Sequence, residues 1–196
     1  MLQGRRRGRA GWLTLAGACL ASNLTATAEA RVAVAAAPPA YPPGIANPAP
    51  GGVTADALVR MDSSELDRLY RGANPGIQPR GRVRGVPIVS PGSPIAPTLS
   101  RGARIVWQGK VFRDDGRTAV NRFFGVQAVR GNLYYGTSWV DGRPSLVLDY
   151  QRTSLVYRRY RDEIRQVGPN LYLGVMHTRT EPVPTFTRYF AFETGR

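Results

Sequence analysis

The 196 residues include one cysteine, one lysine and one histidine, and each scarcity removes a class of chemistry. Cys19 has no second cysteine to pair with inside the chain, so stability has to come from packing. It also lies in a segment that reads as a removable leader, so thiol catalysis and cysteine-ligated metal are not expected of the mature chain. His177 is the only histidine, and a site with several histidine ligands is excluded with it. No metal and no cofactor are expected. Gly109-Lys110 is not a phosphate-binding loop, because the preceding glycine, Gly102, is wrongly spaced and Val111 stands where a Mg²⁺-binding hydroxyl is needed. No serine sits in a Gly-x-Ser-x-Gly elbow, which leaves a serine hydrolase without support. Apolar runs long enough to span a bilayer as a helix, about 20 residues, are missing too.

What the chain has in excess is arginine. The 27 Lys+Arg stand against 13 Asp+Glu for a formal charge of +14, and Lys110 alone of the basic residues is a lysine. Guanidinium forks recognise phosphate and carboxylate bidentately. GC-rich coding produces the same Ala, Gly, Pro and Arg bias, and charge by itself speaks to solubility and non-specific binding.

Residues 1–30 read as an export signal: Arg5, Arg6, Arg7 and Arg9 form a basic start, Gly11 to Leu20 a short apolar stretch, and Ala28-Glu29-Ala30 a cleavage site. The expected location is therefore periplasmic or secreted. Leu15-Ala16-Gly17-Ala18-Cys19 offers a second reading, a lipoprotein acylated on Cys19, although Ala16 stands where a lipobox has a strongly apolar residue. Loss of residues 1–30 removes four arginines and one glutamate and leaves a net charge of +11. Residues 31–52 are Ala- and Pro-rich without apolar period and read as a disordered tether. A single domain is expected over 53–196. It begins with a helix at about 62–71, where Asp62-Ser63-Ser64-Glu65 can form a capping box and Leu66, Leu69 and Tyr70 share a face. Thr54 to Met61 can add a turn or two before it.

Strand signals then recur. Arg82 to Val89 holds Pro87 and reads as an edge strand at best. Pro94 to Trp107 is ambiguous between helix and loop. Period-two segments follow at Trp107–Arg113, Ala119–Arg130, Leu133–Val140 and Ser145–Tyr150, separated by Asp114-Asp115-Gly116, Gly131-Asn132 and Asp141-Gly142. A hairpin follows, with Arg161-Asp162-Glu163-Ile164-Arg165 before Gly168-Pro169-Asn170 and Leu171 to Thr178 after it. Thr185 to Glu193 is the last strand. The pattern predicts a mainly β fold, an antiparallel up-and-down barrel of seven to eight strands, since closure removes exposed edges.

Leu69-Tyr70-Arg71, Trp107-Gln108-Gly109-Lys110, Asn121-Arg122, Leu148-Asp149-Tyr150 and Arg161-Asp162-Glu163-Ile164-Arg165 through Leu171-Tyr172-Leu173-Gly174 resemble, in order and spacing, a bacterial exported family without an established activity. The resemblance covers about residues 63–194. It implies a lipocalin-like, calycin-like barrel and transfers no catalytic residue.

Such a barrel is either filled or holds one small ligand. The first functional expectation is binding of a small apolar or amphipathic, carboxylate-bearing molecule by inward Trp107, Phe124, Tyr135, Trp139 and Phe190, with Arg122, Glu163 and Arg165 as polar contacts. An enzyme acting through Asp149, Glu163 or His177 is the second; Asp162 is a further carboxylate in the same run, and Arg161 and Arg165 offer these carboxylates equally good structural partners. Ordinary packing accounts for His177, which shares a face with Leu171, Leu173 and Val175. A filled envelope module that is structural or binds a partner is the third. Tyr157-Arg158-Arg159-Tyr160-Arg161 mixes arginines with aromatics as nucleic-acid surfaces do. In an exported chain, a solvated face or contact with anionic envelope lipid fits that run better than nucleic acid does.

Overall fold

The computed structural model describes residues 52–195. The export signal, Cys19 and the tether up to Gly51 lie outside the described residues. The fold is a closed antiparallel barrel of eight strands, each paired with its sequence neighbours and the last with the first. The strands are β1 (Gly81–Pro87), β2 (Trp107–Phe112), β3 (Thr118–Phe123), β4 (Val126–Thr137), β5 (Pro144–Asp149), β6 (Tyr160–Gly168), β7 (Leu171–Thr178) and β8 (Thr185–Glu193). Three short helices accompany them: α1 (Ala55–Arg60), α2 (Ser63–Gly72) and α3 (Ala96–Val106).

α2 starts where its capping box predicts. The Asp62 carboxylate accepts from the Glu65 amide at 2.8 Å and Glu65 reaches back to the Asp62 amide at 2.8 Å. Its buried Leu66 and Tyr70 join Leu58 of α1 against Val86, Leu173, Val175 and Ala191, so α1 and α2 cover the outside of the barrel wall. The ambiguous stretch before Trp107 is helical in α3, with Pro97 in the first turn, where its missing N–H has no intrahelical partner to lose.

Residues opposed in an antiparallel ladder share a face, and the register therefore sorts the wall. Val83, Lys110 and Asn121 are opposed and face inward, as do Leu148, Asp162 and Met176, and Gly174 with Phe190. Phe112, Phe192 and Tyr172 extend this layer, with ring centroids 5.5 Å and 5.0 Å apart in sequence.

Two strand expectations need correction. Arg82 to Val89 is not an edge: β1 pairs with both β2 and β8, and Pro87 is accommodated as its final residue. Gly131-Asn132 is not a turn. The reversal comes earlier, at Phe124-Gly125, both with positive φ (49° and 84°), the geometry of a two-residue hairpin. Gly131 lies inside β4, where a Cβ would press on Leu148 and Tyr150. The extra residue opposite the Val120/Asn121 register shift is Val129, at φ 62°.

Gly174 allows the Phe190 ring to approach the β7 backbone, since a Cβ at 174 would overlap the outer atoms of the ring. Gly174→Ala should lower stability by about 1–3 kcal/mol, the usual cost of overpacking. In urea unfolding, adding Phe190→Leu to that variant should cost less than the two single losses combined.

Candidate functional site

Alternation along Arg161-Asp162-Glu163-Ile164-Arg165 in β6 distributes its charges to two environments. Asp162 points into the barrel and is 3% exposed, while Arg161, Glu163 and Arg165 point outward. All four are nevertheless buried, because the outer face of β6 is covered.

Inside, the single lysine is the centre. Lys110 Nζ donates to Asn121 Oδ1 at 2.8 Å, to Tyr150 OH at 3.1 Å and to Asp162 Oδ2 at 2.8 Å, so all three ammonium donors are engaged. Tyr150 OH donates to Asp162 Oδ2 at 2.6 Å, Asn121 Nδ2 donates to Tyr150 OH at 2.8 Å, and Trp107 Nε1 donates to Asn121 Oδ1 at 3.0 Å. Ring centroids of Phe190, Trp107 and Tyr150 lie 5.0, 5.5 and 5.9 Å from the ammonium, within cation–π range. Burial pushes the Lys110 ammonium below the usual lysine range, against the pull of the Asp162 charge. Burial, with Asp162 beside it, holds the Tyr150 phenol well above the usual tyrosine range.

Both ends of this interior are capped. Tyr157, from the connection between β5 and β6, sets its ring 5.3 Å from Tyr160, 5.8 Å from Tyr150 and 6.0 Å from Phe123. At the other end the segment before β1 crosses the opening: Tyr135 OH donates to Gly76 O at 3.1 Å and Tyr172 OH to Ile77 O at 2.7 Å.

Outside, Glu163 and Arg165 anchor the connection from β4 to β5. Glu163 accepts from the Ser138 hydroxyl and from the Trp139 amide at 2.8 and 3.0 Å, and Arg161 approaches it at 3.5 Å. Arg165 grips Asp141 with two bonds of 2.7 Å, donates to Tyr70 O at 3.1 Å, and stacks 4.5 Å from the Tyr70 ring centre. That grip holds the Asp141 carboxyl below the usual range. Trp139 stacks beside Arg161 and Arg179, at 4.2 and 5.2 Å, and edge-on to His177 at 5.7 Å.

No family model matches the chain, and no curated protein does. Among solved structures it is similar to one titled "Crystal structure of protein from Thermomonospora curvata". That pair is 20% identical with a TM-score of 0.45, over 70% of this chain and 90% of that one. The resemblance carries no functional argument.

The expected ligand set is therefore divided among several places. Trp107 and Phe190 meet inside, their rings 5.5 Å apart and nearly perpendicular, and Tyr135 faces inward toward the far end. Phe124 is exposed at its hairpin turn, and Trp139 is on the outer connection; neither points inward as expected. Arg122 is outward beside Gln108, 3.1 Å away, since Asn121 takes the inward position next to it. Glu163 and Arg165 are outward because Asp162 and Ile164 are inward. Asp149 is held by Arg179 at 2.6 Å and by Tyr134 at 3.3 Å, away from the interior. The sequence reading missed Lys110, Asn121 and Tyr150 as a group. Their signal was a solitary lysine among arginines, in a strand where positions 110 and 112 must share a face.

Removing Lys110 alone leaves Asp162 buried without its cation. Lys110→Met should cost about 3–5 kcal/mol in chemical denaturation, and Lys110→Met with Asp162→Leu should recover most of that loss. His177 gives a pH prediction. Burial first, then the Arg161 charge, holds its pKa below 6.5, with Glu163 and Asp162 opposing. The unfolded chain then takes the proton first as pH falls through 6.5, so stability present at pH 7 is lost toward pH 5. In His177→Gln the denaturation midpoint should change less between those two pH values.

Proposed function

We propose that this chain is an exported, lipocalin-like module that acts through its outer surface, its interior being filled by its own side chains. One observation carries the reading. Val83, Lys110, Phe112, Leu148, Ile164, Tyr172, Phe190 and Phe192 all face inward and are each at most 6% exposed. A hollow of ligand size would leave such side chains accessible from within. The polar cluster is satisfied by its own members, with each Lys110 N–H already holding an acceptor. Catalysis through Glu163 has little support, since Ser138, the Trp139 amide and Arg161 occupy that carboxylate.

One feature favours a second reading, the binding of an amphipathic, carboxylate-bearing molecule. Tyr157 comes from the ten-residue connection 150–159, and its displacement would uncover Lys110 among Trp107, Tyr150 and Phe190. Native mass spectrometry of the purified full chain, incubated with a bacterial lipid extract, separates the two. The filled-barrel reading predicts the mass of the protein alone. A stoichiometric adduct that is lost in Lys110→Met overturns it in favour of the second.

A further inference from the structure

Up-and-down connectivity puts the connections after β1, β3, β5 and β7 at one end of the barrel and those after β2, β4 and β6 at the other. The two ends differ in chemistry. Apart from Ile77 and Trp139, every exposed large apolar side chain among the described residues lies in, or within two residues of, the first set. Ile105 comes from α3, Phe124 from the β3–β4 turn, Leu155 and Val156 from the β5–β6 connection, and Val183 from the β7–β8 connection. Leu155 is 86% exposed, on a chain segment whose Tyr157 is turned down into the barrel.

The charge at that end is one-sided. Exposed Arg101, Arg152, Arg158 and Arg159 belong to these connections and hold no ion pair among the described residues; Glu181 is the one acidic residue within them, and Asp149 at the end of β5 is taken up by Arg179. At the opposite end the connections after β2 and β4 hold three aspartates, Asp114, Asp115 and Asp141, beside Arg113, Arg117 and Arg143, with Asp141 held by Arg165 and Arg80 exposed just before β1. A rim of apolar tips set among unpaired guanidinium groups is complementary to an anionic bilayer. The tips enter the headgroup and upper acyl region, and guanidinium forks pair with lipid phosphates at the same depth. Neither half of the pattern is called for by the barrel, since none of these side chains belongs to the buried core. Apolar tips from four separate connections at one end form the kind of patch that marks a docking surface.

We infer that this end of the barrel docks on an anionic phospholipid surface. The inference rests on the proposal that the protein works by its outside, and it names the partner. Docking would stand the barrel on the membrane with the outer helices α1 and α2 to the side and the charge-balanced β2–β3 turn away from it.

The test is sedimentation of the full chain with phosphatidylglycerol-containing vesicles and with phosphatidylcholine vesicles. Leu155→Glu with Arg158→Glu and Arg159→Glu is compared with the control Ile77→Glu at the opposite end. All four positions are exposed, and circular dichroism checks that each variant is folded. The triple variant should bind phosphatidylglycerol vesicles at least tenfold more weakly than the parent. The control should match the parent, and phosphatidylcholine should bind neither well. Raising salt from 0.1 to 0.5 M should narrow the gap between parent and triple variant, because exposed charges are then screened. Equal binding of parent and triple variant overturns the inference, since attachment would then come from elsewhere in the chain. Native mass spectrometry of the same samples keeps the two failures apart. Equal vesicle binding with no adduct defeats the docking inference alone, whereas a stoichiometric adduct that persists in the triple variant and is lost in Lys110→Met defeats the filled-barrel proposal.

Discussion

An ammonium group enclosed in a sheet closed on itself needs partners for three N–H donors and for its charge, and the interior of this barrel is arranged to supply them. Asp162, Tyr150 and Asn121 converge on Lys110 from three different strands or their ends, at 2.8, 3.1 and 2.8 Å. The partners are 52, 40 and 11 residues away in sequence, so the cluster can form only when the registers of the strands are right. A shift by one residue in β6 would turn Glu163 toward the lysine and Asp162 outward, leaving Asp162 without the ammonium. Desolvation of the two charges opposes their attraction, and the net contribution to stability of a buried pair is small compared with the cost of breaking it. Its effect here is to select one register.

The other consequence of the same alternation is on the outside. With Asp162 directed inward, Glu163 and Arg165 are directed outward, and there they fasten the β4–β5 connection and α2 to the barrel wall. Five consecutive residues thus fix an interior cluster and an exterior clamp. Aromatic rings complete the interior. Gly174 permits the Phe190 ring to approach, and that ring lies over the ammonium and against Trp107.

Much of the fold was legible because period-two patterning and turn residues are local. The capping box at Asp62, the Gly168-Pro169-Asn170 turn and the overall barrel follow from the sequence pattern. The β3–β4 hairpin did not, because Gly131-Asn132 is the better turn signal in isolation. What decides against it is the packing of Leu148 and Tyr150 on Gly131, a contact the sequence does not display. The candidate site was only partly legible for a related reason. Period two says which residues share a face but not which face is the inside. Glu163 and Arg165 were assigned to the interior when their neighbours Asp162 and Ile164 hold it, and Trp139 was assigned there although it lies in the outer β4–β5 connection. Lys110 carried a signal in its rarity, but its partners come from β3, the end of β5 and β6, and only closure of the barrel brings them together.

The proposed role falls to the outside, where an apolar, arginine-rich rim lies at one end of the barrel. Everything in the account depends on Lys110 being sealed inside, and its solitude makes that directly measurable. In protein labelled with ¹⁵N-lysine, the side chain gives a single ¹⁵Nζ signal, because the chain has no other lysine. The account predicts an ammonium resonance at neutral pH whose protons exchange slowly with water and whose shift moves when Asp162 is replaced by asparagine. A rapidly exchanging signal that titrates like free lysine and ignores Asp162→Asn would contradict it.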